Sequence, residues 1–178
     1  MCLPSVLILN NSYEDFKQLE TIFNSFKDTL TFNGEKVSVK HTPTYYINGQ
    51  SIPESLWHMI SKEENKGGPR YYLPARAKTI TWFEPILKNA YEHCVKIRCW
   101  WAVDAISRKK GPVDRLHIYF TKGNNDEYNR YLIVLEKRKK HYQLVSAYPV
   151  TLKRKIESLE KSFKTAKYAY NTEKQCAC

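Results

Sequence analysis

The chain predicts an α+β fold: N-terminal helices, a four-stranded antiparallel sheet and one C-terminal basic helix. Two observations carry that prediction. Leu116–Phe120, Tyr131–Leu135 and Tyr142–Tyr148 are short β-branched or aromatic runs, closed by breaks such as Asn124-Asn125-Asp126 and Lys137-Arg138-Lys139-Lys140, as in antiparallel strands joined by tight connections. On either side of this block, apolar residues recur at helical spacing, first in Phe16, Leu19, Ile22, Phe23 and Phe26, and last in Leu152, Ile156, Leu159 and Phe163.

Taken in order, Val6 to Asn10 reads as a short strand. Ser12 then offers an N-cap, with Asp15 at the third helical position as a variant of the capping box. Thr31 to Val39 reads as a hairpin, because Asn33-Gly34 accepts the positive φ angles of a tight turn. Pro43 to Gln50 continues as extended chain and turn. Pro53 opens a short helix through Leu56-Trp57-His58-Met59-Ile60, and the polar, Gly-rich stretch Glu63–Pro69 is a loop. Ile80, Phe83, Leu87 and Ala90 keep helical spacing, but Pro85 removes an amide donor, so a kink or two helices is expected, the second starting near Thr81. Strands follow over Val95–Val103, Val113–Phe120, Tyr128–Glu136 and His141–Pro149, with short links that favour a meander. The helices are expected to cover one sheet face and leave the other concave and open. The domain reading is an N-terminal helical extension over 1–29, the main domain over 30–170 and a flexible tail over 171–178.

The chain has 178 residues and a formal charge of +11, with 29 Lys+Arg against 18 Asp+Glu. A surplus of that size favours polyanionic partners. Aromatic residues make up 13% of the chain, and 13 residues are Tyr, which adds the planes on which single-stranded bases stack. The five cysteines, Cys2, Cys94, Cys99, Cys176 and Cys178, lack the spacing of a disulfide framework. Cys176 and Cys178 lack neighbours that complete a metal site, so neither metal nor cofactor is expected. Leu3–Leu9 is too short to span a bilayer and lacks signal-peptide flanks. The expected location is the cytoplasm, or that of a target cell, without a membrane partner.

Strand parity places Arg115, His117 and Tyr119 on one face, with Leu116, Ile118 and Phe120 on the other. In the last strand Tyr142, Leu144, Ser146 and Tyr148 would share a face. Cleaving RNA needs a base for the 2′-hydroxyl proton, an acid for the leaving oxygen and cations for the phosphorane charge. His changes charge near neutral pH, and Arg presents a planar fork to phosphate.

Three segments occur in an order similar to that of the phage- and toxin-associated branch of the barnase–EndoU–colicin–RelE group of RNases. They are Trp57-His58-Met59-Ile60, Arg76-Ala77-Lys78-Thr79-Ile80-Thr81-Trp82 and Tyr142-Gln143-Leu144-Val145-Ser146-Ala147-Tyr148. The resemblance spans roughly Leu30 to Lys167. It implies a metal-independent ribonuclease in which His58 transfers protons, Arg76 binds phosphate, and Ser146 and Tyr148 contribute from the last strand. Ser146 stands where Thr is the commoner choice and keeps the hydroxyl. Strand parity, not the resemblance, adds Arg115 and His117 as substrate contacts, and Lys78 and Lys96 are further phosphate contacts. Each has a structural alternative: His58 packed beside Trp57, Tyr148 in the core before Pro149, the lysines merely solvated. The expected partners are RNA, tRNA or another structured RNA foremost, and an acidic immunity protein or antitoxin. A non-catalytic basic RNA- or DNA-binding module, or an interaction protein that docks an acidic inhibitor on its last helix, are the alternatives.

Overall fold

A computed structural model of the chain describes residues 3–10, 12–39, 45–47, 50–65, 67–90, 97–105, 111–122, 128–166 and 169–171. The fold is mixed α+β. Helix α1 (Tyr13–Phe26) starts at the expected capping box: the Asp15 amide donates to Ser12 Oγ at 3.3 Å, and the Ser12 amide donates to Asp15 Oδ2 at 2.9 Å. Its stripe of Leu19, Phe23 and Phe26 is buried in the main core, so residues first read as an extension share the core of the rest. Val6–Asn10 is extended chain rather than a strand, held by the Leu7 amide donating to the Lys78 carbonyl.

Strands β1 (Thr31–Phe32) and β2 (Glu35–Ser38) form the hairpin that Asn33-Gly34 predicts. Both turn residues have positive φ, 50° and 74°, the conformation a two-residue hairpin turn demands. A small ribbon, β3 (Tyr45–Ile47) with β4 (Gln50–Ile52), precedes α2 (Glu54–Ile60). A second ribbon follows, of β5 (Ser61–Glu63) and β6 (Arg70–Tyr72), on either side of the expected loop Glu63–Pro69; Arg70–Tyr72 was expected to open a helical region and is a strand instead. The region around Pro85 divides as its chemistry requires. Helix α3 (Pro74–Lys78) stops at Thr79, a 3₁₀ turn spans Ile80–Trp82, and α4 runs over Phe83–Asn89. Pro85 thus falls in the first turn of α4, where no intrahelical acceptor is waiting for its missing amide.

Four long strands make the expected meander: β7 (Ile97–Ala105), β8 (Pro112–Thr121), β9 (Arg130–Lys137) and β10 (Tyr142–Pro149). The expected four-stranded sheet is a correction, because the sheet has seven strands among the described residues. Strand β2 pairs parallel to β10 and brings β1 with it, and β11 (Ala169–Asn171) pairs with β7 on the far edge. Asn171, assigned to the tail, is therefore a strand residue, and the rest of that tail lies outside the described residues.

The open sheet face is a second correction. Helices α1 to α4 pack on one face around Leu116, Ile118, Phe120, Ile133 and Leu135. Helix α5 (Lys153–Thr165) covers much of the other, burying Leu159 against Trp100, Tyr119, Leu132 and Val134. The Trp100 indole donates to Ser162 Oγ at 3.0 Å, and Arg98 pairs with Glu160 at 2.6 Å. Leu152 is not part of the buried stripe: it is the N-cap residue and is 67% exposed. No helix among the described residues is long and apolar enough to cross a membrane.

Candidate functional site

The last strand carries the feature that builds the site. Leu144 pairs with Leu135 and Ser146 with Val134, so Val145 is an extra residue that opposes nothing. This β-bulge switches the alternation. Tyr142 and Leu144 face the main core, whereas Tyr148 packs toward the α5 side, so the four residues do not share one face as strict parity required. The bulge also lies where β10 loses its outer neighbour. Strand β2 covers only Tyr142 and Gln143, and among the described residues the edge beyond them has no strand partner.

Against this edge stand α2, the β5–β6 ribbon and α3. His58, Arg76 and Ser146 line one open, polar cleft of about 430 Å³, together with Lys62, Arg70 and Val145. A smaller cleft of about 110 Å³ adjoins it, lined by Lys62, Arg76, Tyr148 and Lys155. On the other side of His58 lies an apolar pocket of about 160 Å³ between α2 and the β10 edge.

Arg76 is the fixed point. It sits on α3, whose start is set by Pro74 at its first position. Its Nη1 donates to the Ser61 carbonyl at 2.6 Å, and its guanidinium carbon lies 4.7 Å over the Tyr148 ring. Its Nε is buried without a hydrogen-bond partner among the described residues. Burial lowers its pKa, with Tyr148 opposing, yet a guanidinium stays protonated at neutral pH. Arg70 has a different task. Its Nε donates to Ser61 Oγ at 2.9 Å, Nη2 to the Ser61 and His58 carbonyls, and Nη1 pairs with Glu63 at 3.2 Å. These bonds fix the ribbon to the end of α2.

His58 is exposed at the rim, and its Nε2 lies 3.3 Å from Glu54 Oε1 one helical turn back. Its pKa is lowered from 6.5, first by burial and then by the Arg70 charge, against the raising effect of Glu54. The imidazole is thus mainly neutral at pH 7. With its Nε2–H donated to Glu54, its lone pair is on Nδ1.

His58 on α2, Arg76 on α3, and Ser146 and Tyr148 on β10 therefore converge from three segments. The substrate-contact residues do not join them. Arg115 pairs with Glu136 at 3.5 Å, and His117 is buried beside Trp100 with ring centroids 5.1 Å apart. Neither lines the clefts along β10, which is a correction: α5 covers the face on which His117 lies beside Trp100, and Arg115 is engaged with Glu136. Lys78 lines none of these clefts, being two positions from Arg76 on a short helix and so turned away from it. Lys96 lies outside the described residues.

Sequence reasoning missed Glu54, Lys62 and Arg70. The i,i+4 spacing of Glu54 and His58 on an expected helix was the available signal for the first. Lys62 and Arg70 sit on three-residue strands with no periodicity to read. Among the described residues no group of three or more His, Cys, Asp or Glu side chains gathers as a metal site. No protein-family model, curated protein or solved structure matches the chain.

Proposed function

We propose that this protein is a metal-independent ribonuclease of the barnase–EndoU–colicin–RelE group, acting as a toxin or phage-type effector. One observation carries the reading: His58, Arg76 and Ser146, from remote segments, line one solvent-open cleft along the edge of β10, which beyond Gln143 has no strand partner among the described residues. A neutral imidazole, an anchored guanidinium and a hydroxyl are the groups that transfer of an RNA phosphate to its own 2′-oxygen needs.

In this reading His58 takes the proton of the 2′-hydroxyl. A bond forms between the 2′-oxygen and phosphorus, and the bond from phosphorus to the 5′-oxygen breaks. The 5′-oxygen leaves with a proton from water in the open cleft, and the hydroxide so formed takes the proton held by His58, which returns to its neutral form. The products are a 2′,3′-cyclic phosphate and a 5′-hydroxyl end. Arg76 holds the phosphate oxygens and stabilises the added charge, with its plane set by Tyr148 below and Ser61 beside it. Ser146 donates its hydroxyl to a phosphate oxygen. Lys62 and Lys155 extend the positive tract to the neighbouring phosphate.

The exposed Lys153, Arg154, Lys161 and Lys164 of α5 offer a second basic surface, which suits further RNA or an acidic inhibitor. The test is incubation of the purified protein with total tRNA in EDTA. Cleavage that persists there and is lost in His58→Ala supports the reading. Salt-sensitive RNA binding without scission leaves a non-catalytic binding module instead.

A further inference from the structure

We infer that Arg70, acting through Ser61, is a positioning residue that holds His58 and Arg76 in register across the polar cleft. The inference rests on the ribonuclease reading for the chemistry that this register serves. Arg70 lines the cleft with His58 and Arg76, so its charge alone would mark it as a second phosphate contact. Its hydrogen bonds give it another task. All three guanidinium nitrogens are engaged with protein: Nε with Ser61 Oγ at 2.9 Å, Nη1 with Glu63 at 3.2 Å, and Nη2 with the carbonyls of His58 and Ser61 at 3.3 and 3.1 Å. The side chain is 14% exposed.

The junction starts at the end of α2. That helix has seven residues, too few to hold its last turn by itself. The carbonyls of a helix's last four residues meet no intrahelical amide, and His58 is one of these residues. Three outside donors take their place. Ser61 Oγ donates to the Trp57 carbonyl at 2.5 Å, Arg70 Nη2 to that of His58, and the Leu73 amide to that of Ile60 at 2.9 Å. Ser61 is 0% exposed, so water does not compete for these bonds. Its carbonyl accepts from Arg76 Nη1 at 2.6 Å as well as from Arg70 Nη2, which two lone pairs allow. One buried residue thus joins the helix that carries His58 to the guanidinium assigned to the phosphate. The Arg70 charge also favours the neutral imidazole: after burial it is the next cause that lowers the His58 pKa, against Glu54 on the same helix and Glu63 on the ribbon. Lys62 and Glu64 line the same cleft, and β10 presents the uncharged Val145 and Ser146.

The experiment compares Arg70→Gln, which removes fork and charge, with Arg70→Lys, which removes the fork and keeps the charge. Each full-length variant is assayed for tRNA cleavage in EDTA, titrated by NMR at the His58 imidazole, and unfolded in urea. Both should lose kcat by on the order of 10- to 100-fold with KM within about threefold, because the loss is one of placement and not of binding. The His58 midpoint should rise in Arg70→Gln and stay in place in Arg70→Lys, a split that a merely structural role does not produce. Ser61→Ala combined with Arg70→Gln should lose less than the product of the two single losses, as residues acting through one junction do. In the unmodified protein the Arg70 Nε–H should be protected from solvent exchange, a measurement that requires no variant to fold. A rapidly exchanging Nε–H overturns the inference. So does a kcat within about threefold of the unmodified protein in both variants, or a loss confined to KM, which would make Arg70 a substrate contact. A His58 midpoint that fails to rise in Arg70→Gln overturns it as well. If the unmodified protein leaves tRNA intact while the Nε–H is protected and the midpoint rises in Arg70→Gln alone, the junction stands and the ribonuclease reading falls.

Discussion

Arg76→Lys keeps the charge and removes the fork, and so isolates what the geometry of this arginine contributes. Two observed contacts are lost, the Nη1 bond to the Ser61 carbonyl and the stack on Tyr148, and with them the second nitrogen that the proposed role assigns to a phosphate oxygen. Removing one preorganised donor to a developing oxyanion costs about 10²–10³ in kcat, roughly 2.7–4 kcal/mol. The lost cation–π contact adds about 0.5–2 kcal/mol, part of it shared between substrate-bound and free protein. The expected fall in kcat/KM is therefore on the order of 10²–10³. Stability should change less. The Ser61 carbonyl keeps its bond from Arg70 Nη2 at 3.1 Å, so no acceptor is orphaned, and the loss is about 1–2 kcal/mol. The assay is cleavage of end-labelled tRNA in EDTA, paired with urea denaturation of each variant. Arg76→Lys retaining activity within about tenfold of the unmodified protein refutes the assigned role.

Three further outcomes are expected. In the proposed reaction the reactive imidazole is the neutral one, so kcat/KM should rise with pH and level off with a midpoint below the ordinary 6.5; Glu54→Gln removes a group that raises the His58 pKa and should move that midpoint lower still, and a move upward contradicts the assignment. Deleting Val145 removes the bulge yet keeps the pairs Leu144–Leu135 and Ser146–Val134, so the variant should fold cooperatively in urea while losing cleavage, and full activity would show that the bend at Ser146 is irrelevant. Leu159→Ala opens the core under α5, where Leu159 is 2% exposed, and should cost about 2–5 kcal/mol by denaturation; a loss below about 1 kcal/mol would mean that α5 does not seal that face.

The meander and its flanking helices were legible because their signals are local. Capping at Ser12, the Asn33-Gly34 turn and the break around Pro85 each act within a few residues. The extra strands were not legible, because β1, β5, β6 and β11 are two or three residues long, and β2 meets β10 by a parallel pairing across most of the chain. The covered second face was legible but misread. Tyr131-Leu132-Ile133-Val134-Leu135 is apolar without alternation, and every one of these residues is buried; a strand of that kind has both faces covered. Parity failed in β10 for a different reason. A single unopposed residue inverts it, and nothing in Leu144-Val145-Ser146 announces the bulge. His58, Arg76, Ser146 and Tyr148 came from an ordered set of segments rather than from parity, whereas Arg115 and His117 came from parity on a face taken to be open.

The most direct measurement is the chemistry of the RNA ends left by the purified protein in EDTA. The account predicts 2′,3′-cyclic phosphate and 5′-hydroxyl ends at defined positions, absent when His58 is replaced by Ala. Intact RNA, or the same ends produced equally well without His58, would contradict it.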